Sequence, residues 1–334
     1  MEKLRHIFIE ITNCCYQKCI HCSSCALAQS SDLIPLTIIQ KMVCEAKQLG
    51  LREMTLSGGE PFLYPDLSEL LKFLYQENIG TSIYTCGVIK DIEGNLCPIP
   101  KQRFMELRKL NVKKVIFSLH GANASIQDTI AQTKGSFDYV MESLDQALEC
   151  GLNVELHVVP MKSNIECLED ILKIAKVKRI PRVSLLRFVP QGRGTIFLEP
   201  SKKDYLSLRE LYKKWKIQYQ PIQLRMGTPY NCLTLDGKEC TAGKDKLLIN
   251  AKGEYFPCEA FKFLTGNRPT IYEVPVAEEW ENDSLLNEMR TLRLGDVSVC
   301  NSCPMRNTCK GGCAGQRLHR NFSLKKGPDP CCLL

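Results

Sequence analysis

Residues 7–22 read IFIEITNCCYQKCIHC, and the reading of this stretch decides the fold. Ile7 to Ile11 form a short β-branched run that passes without a break into the cysteines, so a strand delivers its chain directly to Cys15, Cys19 and Cys22. Their C-x3-C-x2-C spacing puts three thiols on one loop at the strand's C-terminal end, where folds built of βα units gather their chemistry. Three thiolates there can ligate three irons of a cubane cluster and leave the fourth open to substrate. The alternative is a closed zinc site, which needs a fourth ligand; Cys14 or Cys25 is placed to supply it.

Working outward, the pattern of that first strand repeats about every 30 residues. Candidate strands run from Glu53 to Ser57, Thr81 to Thr85, Lys114 to Ser118, Asn153 to Val159 and Val183 to Phe188. Amphipathic helices are expected between them, at Leu36 to Leu49, Asp66 to Gln76, Lys101 to Leu110, Phe137 to Cys150 and Ile165 to Lys176. The chain is therefore read as α/β, a partial (βα)6 TIM-like barrel. After Phe188 the link VPQGRG leads to one more helix, Lys203 to Gln218, beyond which the alternation is expected to stop. That places a boundary between residues 1–218 and a loop-rich region, 219–334, which holds nine of the 19 cysteines and no dense apolar run of its own. So little apolar material implies that metal holds the second region in shape.

With 334 residues, 44% apolar and 24% charged, the chain can bury an ordinary core, which excludes a disordered or collagen-like protein. Nineteen cysteines are too many for packing alone, and the odd number fits a fully paired disulfide framework poorly. The charged start MEKLRHIFIE and the lack of any apolar run near about 18 residues predict a cytoplasmic chain with no membrane partner, where thiols stay reduced.

The second strand ends in Gly58, Gly59, Glu60 and Pro61. Glycines let a backbone come close to a ligand, and the carboxylate can receive an ammonium group. C-x3-C-x2-C after strand one together with GGEP after strand two resembles the radical S-adenosylmethionine (SAM) superfamily, over all six βα units. The resemblance implies that Cys15, Cys19 and Cys22 hold a [4Fe-4S] cluster whose open iron chelates SAM, and that Gly58, Gly59 and Glu60 form the segment contacting its amino group. It makes Ser118 in FSLHG a ribose contact, with His120 where relatives often carry Asp, Arg187 a partner for the SAM carboxylate, and His21 a ring packing on adenine. The implied reaction is reductive cleavage of SAM to a 5′-deoxyadenosyl radical that abstracts hydrogen from substrate, fed by an external electron donor such as flavodoxin or ferredoxin.

In the second region, Cys240-x12-Gly253-x4-Cys258 is followed by Cys300-x2-Cys303-x5-Cys309-x3-Cys313 and then by Cys331. This order resembles the SPASM (twitch-type) iron-sulfur extension of some radical SAM enzymes. By that resemblance Cys240, Cys258 and Cys313, with Cys232 as fourth ligand, hold one auxiliary cluster, and Cys300, Cys303, Cys309 and Cys331 hold another, with Cys332 the alternative to Cys331. A pair of zinc ribbons is the bland alternative. Cys14, Cys25, Cys44, Cys86, Cys97, Cys150 and Cys167 read as packing residues. Glu259 follows Cys258 where sulfatase-maturing relatives carry an acidic residue that takes a proton from substrate.

The expected function is oxidation or cross-linking of an unactivated C–H position on a peptide. Strand one begins at residue 7, leaving no room for an N-terminal peptide-recognition module, so a small molecule such as a sugar or cofactor precursor stays open as substrate. A non-enzymatic iron-sulfur or zinc protein is the third reading. The net charge of +7 would ordinarily suggest an anionic partner. Three clusters of the expected ligation bring the formal balance to about +2, so the excess does not argue for nucleic acid.

Overall fold

The structure is a computed structural model that describes residues 2–333. It begins with β1 (His6–Thr12), α1 (Leu36–Gln48), β2 (Glu53–Gly58), α2 (Leu67–Gln76) and β3 (Gly80–Thr85). A small hairpin, β4 (Val88–Lys90) and β5 (Leu96–Pro98), precedes α3 (Lys101–Lys109) and β6 (Lys114–Ser118). Then come α4 (Ala124–Ala131), α5 (Ser136–Glu149), β7 (Val154–Val158), α6 (Leu168–Val177), β8 (Arg182–Leu185) and α7 (Lys202–Gln218). All six expected barrel strands are present and pair in parallel in the order β1-β2-β3-β6-β7-β8.

The strands separate their faces as the pleat requires. On β1, Ile7, Ile9 and Ile11 join the apolar layer under the helices with Met42, Val43 and Leu71. The intervening His6, Phe8 and Glu10 point to the other side of the sheet, inside the barrel. That interior is polar: His6 Nε2 pairs with Thr55 Oγ1 at 2.9 Å, and the Glu155 carboxylate meets His157 Nε2 at 2.9 Å and accepts from Ser184 Oγ at 2.7 Å.

Two expectations are corrected here. The alternation does not stop at α7: β9 (Gln223–Met226) pairs in parallel with β8, and β10 (Lys246–Ile249) pairs in parallel with β1. With β11 (Tyr255–Phe256) antiparallel to β10, the sheet has nine strands. The added parallel strands, QLRM and KLLI, lack a β-branched run, and β9 closely follows Pro221, so neither stands out as a strand in sequence. The second region also has apolar substance: Leu248, Phe256, Phe261, Met289 and Leu324 are buried together with Phe8 of β1. Phe8 alone among these comes from residues 1–218, so the region builds a small cluster of its own, while its Leu233, Leu247, Ile249, Val276 and Trp280 join the barrel's core. Its helices are short: α8 (Asn231–Thr234), α9 (Val276–Asn282), α10 (Ser284–Thr291), α11 (Arg306–Cys309) and α12 (Ala314–Asn321). Trp280 of α9 is buried and donates to Glu2 O at 2.9 Å, tying this region to the start of the chain. No helix among the described residues is long and apolar enough to cross a membrane.

Candidate functional site

Cys15, Cys19 and Cys22 lie on the loop after β1, held from three sides. Cys15 N donates to Leu27 O at 3.2 Å, while Lys18 N and Ile20 N donate to Ala131 O and Ile130 O. From the second side, Gly59 N donates to Thr12 O at 2.7 Å and Glu60 N to Cys14 O at 2.8 Å. A Cβ on Gly59 would stand 2.1 Å from Cys14 O, and one on Gly58 2.0 Å from Thr12 O, so GGEP is glycine-bearing because it lies flush on the cysteine loop. From the third side, Arg193 donates through Nε to Cys19 O and through Nη1 to Ala26 O, both at 2.9 Å, and its backbone N donates to Cys22 O at 3.0 Å. A Cβ on Gly192 would come within 2.4 Å of that same Cys22 O.

The three thiols suit a soft metal centre. Burial pushes the Cys19 thiol up, Cys15 and Cys22 add to the push, and the Arg193 guanidinium opposes it. Three thiolates on one shielded loop are stabilised by a bound cation, which is what an iron cluster supplies. Cys86, expected only to pack, is hydrogen-bonded to Cys15 and raised by that contact and by burial.

The fully buried Glu60 carboxylate is engaged inside the protein. It accepts from Thr85 Oγ1 at 2.9 Å, from Cys86 N at 2.7 Å and from Phe62 N at 3.1 Å, and burial raises its pKa. It braces the turn, leaving the backbone of Gly58–Glu60 as the part that can face a ligand. Ser118 ends β6, half-buried. His120 is buried, and its Nδ1 accepts from Val159 N at 3.2 Å, which fixes a neutral ring with its proton on Nε2. Its ring meets His21 edge to face, centroids 4.3 Å apart, and the buried His21 Nδ1 has no partner. Burial holds both imidazoles well below their ordinary pKa, His21 at about 4.

Arg187 is placed away from the role expected for it. Its guanidinium is buried against Asp329, with Nη1 to Oδ2 and Nη2 to Oδ1 both 2.7 Å, and Nη1 also donates to Pro229 O at 2.9 Å. The two oxygens of Asp329 also accept from Cys313 N at 2.5 Å and from Cys331 N at 2.6 Å.

The second-region cysteines fall into groups. Burial raises Cys258, and its thiol neighbours Cys240 and Cys313 add to that. Burial also pushes Cys313 up to about 11, with Arg187 opposing. Cys300 and Cys309 are likewise raised by burial, and both have Cys332 as a thiol neighbour. Cys331 lies elsewhere: its Sγ, Cys232 Sγ and a carboxylate oxygen of Asp329 all fall within 4.8 Å of one another, and all three residues are buried. Glu259 has its side chain 40% exposed, 3.5 Å from Lys262 Nζ. Its pKa is raised by desolvation, with Lys262 opposing and Glu10 adding to the rise.

Sequence reading missed Arg193 and Asp329 as organisers of the site, and held Cys332 only as the alternative to Cys331. The signal for the first was present, since QGRG stands at the C-terminal end of a barrel strand, where a Gly-Arg pair invites a question about what it contacts.

The profile of the Radical SAM superfamily matches residues 9–175, half of the chain. The chain is 26% identical to the mycofactocin maturase MftC of Mycobacterium tuberculosis over 340 residues, covering 97% of this chain and 81% of that one. It is 24% identical to the AdoMet-dependent heme synthase of Methanosarcina barkeri, over 92% of this chain and 90% of that one. Among solved structures, Streptococcus suis SuiB bound to its precursor peptide SuiA matches with a TM-score of 0.81 at 21% identity, covering 100% of this chain and 77% of that one. The three-thiol loop, clasped by a Gly-Gly-Glu turn at the mouth of a parallel barrel, lies within the span matched by that profile: the protein belongs to the radical SAM superfamily, as an enzyme using SAM and a [4Fe-4S] cluster.

Proposed function

We propose that the enzyme matures a peptide, modifying an unactivated C–H position. The observation that carries this reading is the match of the entire chain to a structure holding a precursor peptide, over a barrel whose interior is polar. When bound, SAM and its cluster supply one-electron hydrogen abstraction. Cys15, Cys19 and Cys22 hold that cluster; the backbone of Gly58–Glu60 faces the SAM ammonium, Ser118 the ribose and His21 the adenine. Arg187, committed to Asp329, anchors the C-terminal segment rather than the SAM carboxylate. Glu259, half-exposed above the barrel, takes the proton released as substrate is oxidised.

Residues 1–218 form the SAM-cleaving half and 219–334 the half carrying two auxiliary clusters. Cys240, Cys258 and Cys313 serve the first; Cys232, the upstream thiol expected to complete it, stands beside Cys331 and Asp329. Cys300, Cys303 and Cys309 serve the second together with Cys332, a thiol neighbour of both Cys300 and Cys309. An external flavodoxin- or ferredoxin-type protein supplies electrons.

A small-molecule substrate is the second reading, favoured by the likeness to a heme synthase over 92% of the chain. Anaerobic reconstitution decides first: about twelve irons per chain and dithionite-dependent 5′-deoxyadenosine are expected, whereas zinc without SAM cleavage overturns the proposal. A peptide encoded beside the gene should then lose hydrogen mass on incubation. SAM cleavage with every such peptide unchanged, but with a tetrapyrrole altered, would move the assignment to the second reading.

A further inference from the structure

Lys262 sits in the 3-10 turn Glu259–Leu264 that follows Cys258, with its side chain 3% exposed. Its ammonium reaches across to the other cysteine loop. It donates to Ser24 Oγ at 2.6 Å and to Ser23 Oγ at 3.3 Å, and pairs with the Glu10 carboxylate, itself 4% exposed at the end of β1. Ser24 Oγ in turn donates to Glu10 Oε1 at 2.6 Å, closing a ring. All three ammonium donors are thereby used, two of them on the residues immediately after Cys22.

A buried ion pair is weak evidence for stability, because the desolvation of both charges offsets their attraction. The ring does two other things: it ties the loop of one expected cluster to the loop of another, and it sets a cation beside the first. We propose that Lys262 is a positioning residue that couples the Cys22 loop to the Cys258 loop and favours reduction of the centre on Cys15, Cys19 and Cys22 by placing a positive charge next to it. Cluster potentials follow net charge and hydrogen bonding around the sulfurs, so the charge acts where the electron arrives. The inference rests on the proposal that these three cysteines hold the SAM-cleaving cluster.

The test is an EPR-monitored potentiometric titration of the reconstituted enzyme, following the signal that changes on adding SAM. Lys262→Met should lower the midpoint potential, Lys262→Arg should restore most of it, and Glu10→Gln should raise it. Hydrogen exchange of the cluster-free chain gives a second readout, with faster exchange at Ser23–Ala26 in Lys262→Met. Opposite shifts for Lys262→Met and Glu10→Gln support a charge effect, since simple loosening would move both the same way. A SAM-responsive signal whose potential is equal in wild type and Lys262→Met, with unchanged exchange, overturns the inference. A wild type with no SAM-responsive signal overturns the cluster assignment instead, and faster exchange at Ser23–Ala26 then still supports the mechanical tie while unchanged exchange overturns it.

Discussion

At the scale of single residues, the site is held by side chains engaged inside the protein. Glu60 accepts from one hydroxyl and two backbone N–H groups inside the protein. Glu60→Ala leaves those donors buried without an acceptor, and the cluster-free chain should lose about 1–3 kcal/mol in a reducing denaturant titration. At the end of the chain, Cys332→Ala should remove about four irons from the reconstituted protein while Cys331→Ala keeps them; equal iron in the two variants would return the ligand role to Cys331. The cysteines of the first loop were legible in sequence, because ligands on a short loop must keep their spacing. Arg193 and Lys262 were not, because Arg193 contacts Cys19 and Lys262 contacts Glu10 across 174 and 252 positions, separations that leave no local pattern.

At the scale of elements, the stretch from Arg187 to Gly194 after β8 fastens every cysteine loop it passes. Arg187 takes Asp329 beside Cys331, Phe188 O accepts from Gln316 of α12, Gln191 donates to Glu259 O beside Cys258, and Arg193 takes Cys19 O. Arg187→Met strands a buried carboxylate and should cost about 3–5 kcal/mol, visible as a lower unfolding midpoint of the cluster-free chain. Adding Asp329→Leu should recover much of the loss; no recovery would show that Asp329 acts mainly through its bonds to Cys313 N and Cys331 N. Six strands could be read from sequence because their β-branched runs are buried on both faces. β9 and β10 could not, since neither carries a β-branched run and their pairing is decided by distant strands.

At the scale of the whole molecule, buried neutral imidazoles set the response to acid. Burial holds His6 and His21 at about 4, so the unfolded chain takes up protons below its ordinary histidine value of 6.5 that the folded chain refuses. Stability of the cluster-free chain should therefore be full above about pH 6.5 and fall as the pH drops toward 4, and His6→Gln should flatten the slope in thermal melts across that window. The shared sheet has its own test. Residues 1–218 alone lack β10, leave the β1 edge unpaired, and should associate on gel filtration where the full chain does not.

That pairing also sets a clock on synthesis. At about 5–20 residues per second, Lys246 leaves the ribosome on the order of 10–50 s after Thr12. Through that interval β1, the strand that leads into Cys15, Cys19 and Cys22, has no partner on its outer side, and the turn bearing Lys262 has not yet been made. The nascent chain thus holds the β1 edge open until β10 docks, and the tie from Lys262 to Ser23 and Ser24 closes only after that.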